Sequence, residues 1–322
     1  MASQGSSAAA AAIAKTYVPP SLLEDVHILD VLELSGSQYA AANYLAMHQS
    51  TVSRSLRRLQ LELELEPGRR SGACRHGRNA CLDMLRFACR AHRLMKGFLR
   101  IGTDPLHQTL LCRMASLQPA PPRFRKVAHW VDLIHHGVLD GAIVSSMGME
   151  KSMPPGSVPS CPDVTIKPLG VLPLELMARS ISAKGVLVPN RAAAPLLHRI
   201  LEGNGHKLVS QPRAAQEPVA WLKCMKDRKL ALPLCPGLVG KAWVSVHELV
   251  SLMDYFPLRQ TLWLALPRSI EQHVNASKLL AVLRRRIRMA ALESLSHNTI
   301  DRHDWPLTEA RLSIIPNHKS SA

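Results

Sequence analysis

The sequence predicts an α/β protein that begins with a small helical unit of the helix-turn-helix kind. Between residues 21 and 65 the chain is rich in helix formers, and its apolar residues recur at helical spacing. Beyond residue 98, short apolar runs alternate with helical stretches, a pattern typical of parallel strands joined by crossover helices. A chain of 322 residues is long enough for two or three such units, each with its own apolar core.

Three helices are predicted in the first unit. The first should end at Ser35 and Gly36, because glycine stops a helix and Ser37 can cap the next one. The second should run to about Ala46, and after a turn of about three residues the third should begin at Gln49 and end near residue 61. This is helix-turn-helix spacing. The apolar positions of the three helices are Leu22, Val26, Leu29, Ala41, Leu45, Val52, Leu56 and Leu59.

A basic loop and one long helix should follow. Residues 66–77 are rich in glycine and arginine and contain Pro67, which predicts a turn-rich wing with little core. Residues 78–97 predict one helix that links two domains and is closed by Gly97. Its apolar stripe needs a surface to cover it, which predicts a contact between two chains, with packing on its own domain as the alternative. The stripe consists of Leu82, Leu85, Ala88, Cys89, His92 and Met95.

The α/β region is predicted to span residues 98–293, with strands near 99–102, 141–144 and 185–188. The first 20 residues are predicted to be a disordered leader, because no basic cluster precedes their alanine run as it would in a secretory signal. Residues 294–322 have weak periodicity, so a loosely ordered tail is expected there.

The charge of the chain favours a polyanionic partner. Its formal net charge is +16 and its pI is near 10.0, which suits nucleic acid or an anionic membrane surface. No apolar stretch reaches the roughly 20 residues of a membrane helix, so no segment is expected to span a bilayer. The seven cysteines form no C-x-x-C pair and leave an odd count, which favours a reducing cytoplasm over a disulfide framework.

No catalytic residues, no cofactor and no metal site are predicted. The sequence has no nucleophile elbow, phosphate-binding loop, dinucleotide fingerprint or zinc-protease motif, so an enzyme is not expected. His129, His135 and His136 raise the question of a metal, but the adjacent pair points to different helix faces. A second group matches no zinc spacing and is interpreted as inert thiols beside a histidine: Cys74, His76 and Cys81.

The third helix carries the residues that favour DNA, because its polar, basic outer surface can enter the major groove. Residues near its start are expected to contact base edges: Gln49, Ser50, Thr51 and Arg54. Residues expected at phosphates are Ser53, Arg57 and Arg58 on the helix and Arg69 and Arg70 in the wing. The alternative is that the arginines only solvate a surface helix. Against it, Lys and Arg outnumber Asp and Glu by eleven to four between residues 54 and 96, where helix, wing and linker would face phosphates.

These motifs together resemble the LysR-type transcription regulators. The family signature across the second and third helices is matched, with the same spacing, by Gly36, Ser37, Leu45, Gln49 and the run VSR at 52–54. Further on, LRIGT at 99–103 resembles the first strand of that family's effector domain, and GVLDGAI at 137–143 resembles its G-x-L-D-x-A-I strand. The likeness spans roughly residues 20–290. His48 departs from the pattern, since the family usually has a capping serine there.

The resemblance implies a regulator of transcription in the bacterial cytoplasm, associated with the nucleoid. It implies double-stranded promoter DNA as a partner and a homodimer, or a homotetramer of paired dimers, as the binding form. It also implies a periplasmic-binding-protein-like effector domain of two subdomains. The implied division is a winged helix-turn-helix over 21–77, a linker and dimerisation helix over 78–97, subdomain I over 98–168 and 260–293, and subdomain II over 169–259.

The cleft between the two subdomains would bind a small effector at the carboxyl ends of the strands. The residues expected there are Thr103, Asp104, Ser145 and Ser146. Helix-start amides nearby suit a carboxylate or phosphate, whereas Asp104 counts against an anion, and the hydroxyls could instead only cap the following helices. Two other functions stay open: a cytoplasmic solute-binding protein or enzyme with this fold, and a membrane-surface or scaffolding role for the positive charge.

Overall fold

A computed structural model describes residues 17–66, 72–154, 157–210, 218–252 and 258–295. A helical unit comes first and a mixed α/β region follows, so the predicted fold class is confirmed. Arg69 and Arg70 of the predicted wing lie outside the described residues, as do residues 1–16 of the predicted leader and residues 296–322 of the predicted tail. None of the helices in the described ranges is long and apolar enough to cross a bilayer.

The first unit contains the predicted helices α1 (Glu24–Ser35), α2 (Gln38–Leu45) and α3 (Gln49–Glu62). Gly36 follows α1 with a φ of 77°, a left-handed conformation that favours glycine, and Ser37 caps α2 by accepting the Ala40 N–H at 3.1 Å. The helices bury one apolar face each in a common core: Val26, Leu29, Leu32, Ala41, Val52, Leu56 and Leu59.

The predicted linker helix is α4 (Ala80–Met95), and much of it packs on its own chain. Leu82 and Cys89 are buried in the core of the first unit, and Leu85 lies half-buried against that core. The apolar stripe predicted to contact a second chain is corrected at these three positions, because they pack in the core of the first unit. Ala88 and Met95 of the same stripe are exposed.

The strands of the α/β region are β1 (Leu99–Gly102), β2 (Leu117–Pro119), β3 (Gly141–Ser145), β4 (Val164–Ala178), β5 (Val186–Val188), β6 (Leu208–Ser210), β7 (Leu232–Leu234), β8 (Val250–Ser251) and β9 (Leu258–Pro267). One sheet has the order β2-β1-β3-β9-β4-β7, with β8 beside β4, and β5 pairs with β6 separately. β1 is parallel to β2 and β3, as predicted. β9 is antiparallel to β3 and β4, and β7 and β8 are antiparallel to β4, so the prediction of parallel strands is wrong for this part of the sheet.

Two long strands connect two halves of the region. β4 and β9 pair from Val164 with Pro267 to Leu174 with Leu258, and β4 then continues to β7 and β8. One set of apolar clusters surrounds β1, β3 and the first part of β4, and another surrounds β5, β7 and the end of β4. The helices around these cores are α5 (Val127–His135), α6 (Pro195–Gly203), α7 (Pro218–Arg228), α8 (Pro236–Val239), α9 (Lys241–Val246) and α10 (Val274–Leu295).

The described residues extend beyond the predicted boundaries at both ends. Tyr17, in the predicted leader, is buried, and its hydroxyl lies 3.0 Å from Nδ1 of His92. Ser294, the first residue of the predicted tail, is buried near the end of α10, where its hydroxyl donates to the Ala290 carbonyl at 2.9 Å. The Tyr17 contact is to a residue 75 positions away, which local composition does not reveal, whereas the Ser294 contact lies within α10.

Candidate nucleic-acid interface and cleft

α3 places the predicted DNA-contacting side chains on one outward face. Val52, Leu56 and Leu59 are buried in the core, which fixes the rotation of the helix. Five of the predicted residues are exposed: Gln49, Ser50, Arg54, Arg57 and Arg58. Thr51 and Ser53 are half-buried beside them. The structure therefore brings the seven helix positions together as one polar surface with three guanidinium groups.

Several side chains on this surface have contacts within the first unit. Arg58 forms an ion pair with Asp25 of α1, which holds its guanidinium towards that helix. Gln49 Nε2 donates to Gln38 Oε1 over a long 3.4 Å, and Arg54 lies 3.5 Å from the Thr51 hydroxyl. Contacts of this length are weak, so Gln49 and Arg54 can turn to an external acceptor at little cost.

The start of α3 has no side-chain cap. His48 stands at the N-cap position in an extended conformation, and its side chain accepts no hydrogen bond from the helix. This agrees with the departure noted in the sequence, where a capping serine is replaced. The first backbone N–H groups of α3 therefore have no side-chain acceptor at the N-cap position.

The loop predicted as a wing is closed at its base. Glu66 and Arg78 form an antiparallel bridge, and the loop tip at 67–71 lies outside the described residues. The backbone N–H groups of Arg75 and His76 donate to the Glu33 carboxylate at 2.9 and 2.7 Å. The return arm of the loop is thereby fixed to α1.

A buried network of ion pairs joins the helical unit to the α/β region. Arg93 donates to both oxygens of Asp140 at 2.8 and 2.7 Å, while Arg86 and Arg100 donate to Asp30 of α1 at 2.9 and 3.0 Å. Both aspartates and Arg93 are fully buried. Although burial acts in the opposite direction, Arg93 and its hydrogen bonds hold the pKa of Asp140 below the usual range.

This network corrects one part of the sequence interpretation. Arg86, Arg90 and Arg93 were counted with the arginines that would face phosphates, but all three are buried. Their charges are compensated by Asp30 and Asp140 within the chain. Among the described residues, the exposed arginines of this region consequently lie on α3 and at Arg75 and Arg78.

His27 of α1 completes the network at its other end. Arg100 donates from Nη2 to His27 Nδ1 at 2.6 Å, which requires a neutral imidazole as the acceptor. Burial and the positive charge of Arg100 lower the pKa of His27 to about 2. The ring therefore stays uncharged in the folded protein under all ordinary conditions.

Two arginines of the α/β region cap the last turn of α1. Arg125 Nη2 donates to the carbonyls of Glu33 and Leu34 at 2.7 and 2.8 Å, and Arg123 Nη1 donates to the Ser35 carbonyl at 2.5 Å. The final carbonyls of a helix lack partners inside the helix and carry partial negative charge, so guanidinium groups suit this position. The segment before α5 is thus tied directly to the helix that supports α3.

A cleft lies beside that segment, between the two halves of the α/β region. Its apolar walls include Phe124, Trp130, Met147, Leu174 and Leu197. Its polar side chains are Asp104, His107, Arg125, Ser145 and Gln260. The combination of apolar walls with a few polar groups is typical of small-molecule sites.

Two of the four predicted cleft residues line this space, Asp104 and Ser145. The Asp104 carboxylate accepts from His107 Nδ1 at 2.8 Å, and the Ser145 hydroxyl donates to Gln260 Oε1 at 2.9 Å while accepting from Met147 N. Thr103 and Ser146 are not among the lining residues; Ser146 Oγ accepts the Thr261 N–H at 3.0 Å. Ser145 also caps the turn that follows β3, so it both lines the cleft and caps.

Sequence reasoning missed three polar residues of the cleft: His107, Arg125 and Gln260. His107 follows Asp104 by one helical turn, a spacing that could have indicated the pair. The sequence around Arg125 and Gln260 contains no motif that marks them. Their roles depend on contacts with distant residues, Glu33 of α1 for Arg125 and Ser145 for Gln260.

The residues considered for a metal do not converge. Within the described ranges, no group of three or more His, Cys, Asp or Glu side chains is arranged to hold a metal ion. Cys74 is buried, which raises the pKa of its thiol to about 12, whereas Cys81 is exposed on α4. His136 Nδ1 lies 2.9 Å from the Asp83 carboxylate and is used in that pair.

Comparison with known proteins gives structural likeness without close sequence relatives. No family model and no curated protein matches the chain. An OxyR mutant of Corynebacterium glutamicum matches 88% of this chain and 97% of its own, with 14% identity and a TM-score of 0.45. ArgP from Mycobacterium tuberculosis matches 82% of this chain and 96% of its own, with 14% identity and a TM-score of 0.45. The full-length LysR-type regulator LysG of Corynebacterium glutamicum matches 83% of this chain and 97% of its own, with 13% identity and a TM-score of 0.38. Each of these solved structures covers most of this chain at low sequence identity.

Proposed function

We propose that this chain is a sequence-specific DNA-binding regulator of transcription of the LysR type, controlled by a small effector in the cleft. The observation that carries the proposal is α3, which buries an apolar face and exposes Gln49, Ser50, Arg54 and Arg57 on the other. A helix of this kind fits the major groove, where Gln pairs with adenine edges and Arg with guanine edges. The net charge of +16 adds the sequence-independent attraction of phosphates.

The three arginines of α3 have different roles in this proposal. Arg54, near the start of the helix, reads a base edge. Arg57, one turn further on, binds a phosphate together with the two arginines of the loop, Arg69 and Arg70. Arg58 is paired with Asp25, so it must exchange this carboxylate for a phosphate before it contributes to affinity.

The partner in the binding form is a second copy of the chain, paired along α4. Five exposed residues of α4 are spaced alternately by three and four positions, which is the pattern of a coiled-coil seam. They are Cys81, Met84, Ala88, Ala91 and Met95. Met84 and Met95 are 67% and 82% exposed, a large apolar surface to leave in water. Pairing along this seam would present two α3 helices to two half-sites, and dimers would pair again into tetramers. We place this regulator in the bacterial cytoplasm, at the nucleoid.

The proposal is tested by affinity measurements on three variants. Fluorescence anisotropy compares a preferred duplex with random DNA at several salt concentrations for wild type, Arg54→Ala, Arg57→Ala and Arg285→Ala. Arg54→Ala should weaken the preferred duplex by about 1–3 kcal/mol and random DNA little, while Arg57→Ala should weaken both alike. Arg285 is exposed on α10 and serves as the matched control for loss of one charge.

Two results would contradict the proposal. If Arg285→Ala weakens binding as much as Arg54→Ala, the attraction is general charge and α3 reads nothing. If the wild type shows no salt-sensitive binding to duplex DNA but binds small molecules in the cleft, the chain is a solute-binding protein or an enzyme of this fold.

A further inference from the structure

Three side chains in the cleft carry buried atoms that lack a hydrogen-bond partner among the described residues. These atoms are Nε of Arg125, Nε2 of Gln260 and Nε2 of His107. The three residues line the same cleft and are 8%, 2% and 2% exposed. Buried polar atoms are nearly always paired in folded proteins, because leaving one unpaired costs its desolvation energy. All three belong to residues that line one cleft, and the two donors among them, Arg125 Nε and Gln260 Nε2, point to a ligand that supplies acceptor atoms.

The neighbours of these residues fix what each of them offers. Gln260 accepts the Ser145 hydroxyl with its Oε1 atom, so the free Nε2 atom is a donor. His107 is held at Nδ1 by Asp104, which leaves Nε2 on the opposite side of the ring. The Asp104 carboxylate also accepts the backbone N–H groups of Leu106 and His107, so its charge is directed to these partners.

Arg125 supplies a buried positive charge. In the described part of the chain no carboxylate forms an ion pair with its guanidinium, which donates to two backbone carbonyls and lies 5.6 Å from the centre of the Trp130 ring. Burial and the nearby charge of Arg123 lower the pKa of Arg125 to about 9. A cation in this environment is stabilised by an anion that enters the cleft.

We infer that the cleft binds a small organic carboxylate, with its anionic group against Arg125 and Gln260 and its apolar part among Trp130, Leu174 and Leu197. This inference rests on the proposed function, since it takes the cleft as the effector site and names the chemical class of the effector. His107 Nε2 remains for a hydroxyl or a second polar group on the ligand. The apolar walls limit the rest of the ligand to a short hydrocarbon chain or a ring.

The same guanidinium connects the ligand to the DNA-binding unit. Arg125 caps the carbonyls of Glu33 and Leu34 at the end of α1, and α1 packs directly on α3. A carboxylate that draws Arg125 into the cleft competes with these two hydrogen bonds. Ligand binding therefore changes how firmly α1 is held, and with it the position of α3. Arg123 makes a parallel contact to Ser35 but does not line the cleft.

The first experiment measures thermal unfolding of the full chain with butanoate, hexanoate and phenylacetate, each beside its uncharged amide. At least one carboxylate should raise the unfolding midpoint, by about 5–10 °C at 100 times its Kd, and its amide should not. Arg125→Met should weaken that carboxylate by about 10- to 150-fold. Gln260→Glu, which keeps the size of the side chain but repels an anion, should also lose the shift, whereas Arg123→Met should keep it.

Three outcomes of this experiment overturn the inference. They are a panel in which no carboxylate raises the midpoint, an amide that stabilises as well as its carboxylate, and a shift that survives in both Arg125→Met and Gln260→Glu. If Arg125→Met does not fold, Gln260→Glu decides the result, because it leaves the capping of α1 intact.

The second experiment adds the bound carboxylate to a DNA titration followed by anisotropy. The apparent Kd of the wild type for its preferred duplex should change by at least about 5-fold, and the change should disappear in Gln260→Glu. An unchanged Kd with a bound carboxylate would overturn the link through Arg125. Absence of any DNA binding would instead contradict the proposed function, while the unfolding experiment would still decide whether the cleft takes carboxylates.

Discussion

Replacing Asp140 with asparagine tests whether buried ion pairs hold the helical unit against the α/β region. The Asp140 carboxylate accepts two hydrogen bonds from Arg93 at 2.8 and 2.7 Å and one from the Arg100 backbone N–H at 2.8 Å. A third arginine contributes as well, since Arg90 Nε lies 3.4 Å from Asp140 Oδ1. Asparagine keeps the shape of the side chain, removes the charge and turns an N–H₂ group towards these donors.

The expected cost follows from the burial of the partners. Arg93 and Asp140 are both fully buried, so removal of the carboxylate leaves an uncompensated guanidinium without access to water. Breaking one partner of a buried ion pair costs about 3–5 kcal/mol. At about 2–4 °C per kcal/mol for a large domain, the unfolding midpoint should fall by roughly 6–20 °C.

Circular dichroism during thermal unfolding measures this shift, with Asp132→Asn as the control. Asp132 is exposed on α5 and loses the same charge without losing a buried partner. Its midpoint should stay close to that of the wild type. If Asp140→Asn unfolds within about 2 °C of Asp132→Asn, less than about 1 kcal/mol separates them, and the ion pairs do not hold the two parts together.

Three further variants test other parts of the structure. Unfolded His27 takes up a proton below about pH 6.5, whereas the buried ring does not until about pH 2. As the pH falls, the free energy of unfolding of the wild type should therefore drop by up to about 1.4 kcal/mol per pH unit because of His27. In urea unfolding, His27→Gln should lose less between about pH 7 and pH 5, and equal losses would contradict the assignment. Met84→Glu should yield monomers in sedimentation, whereas Ile181→Glu, the same kind of change at another exposed apolar residue, should not. Gly36→Ala should destabilise the protein more than Gly205→Ala. The two glycines have the same left-handed backbone, with φ of 77° and 78°, but a Cβ atom would collide with Arg123 only at Gly36. Equal losses of stability would mean that the contact with Arg123 adds nothing.

The helix-turn-helix could be predicted from the sequence because its signals are local. Gly36 and Ser37 end one helix and begin the next, and Val52, Leu56 and Leu59 fix which face of α3 is buried. These residues interact with neighbours a few positions away or within one small core. The exposed face of α3 therefore follows from the same pattern.

The fate of the α4 arginines could not be predicted in the same way. Arg86 and Arg93 look like solvated charges until Asp30 and Asp140 are brought beside them from 56 and 47 positions away. The mixed sheet has the same cause, since β9 enters between β3 and β4 from late in the chain. The cleft residues Arg125 and Gln260 likewise acquire their roles only when α1 and β9 are in place.

The most direct test of the account is selection of binding sites from a randomised pool of duplex DNA, carried out in parallel with the wild type and Arg54→Ala. The wild type should enrich a sequence of two related half-sites, as expected for two α3 helices in adjacent major grooves. Arg54→Ala should enrich the same sequence with preference relaxed at one base pair of each half-site. A wild type that enriches no sequence, or a variant whose preferences are unchanged at every position, would contradict the claim that α3 reads DNA.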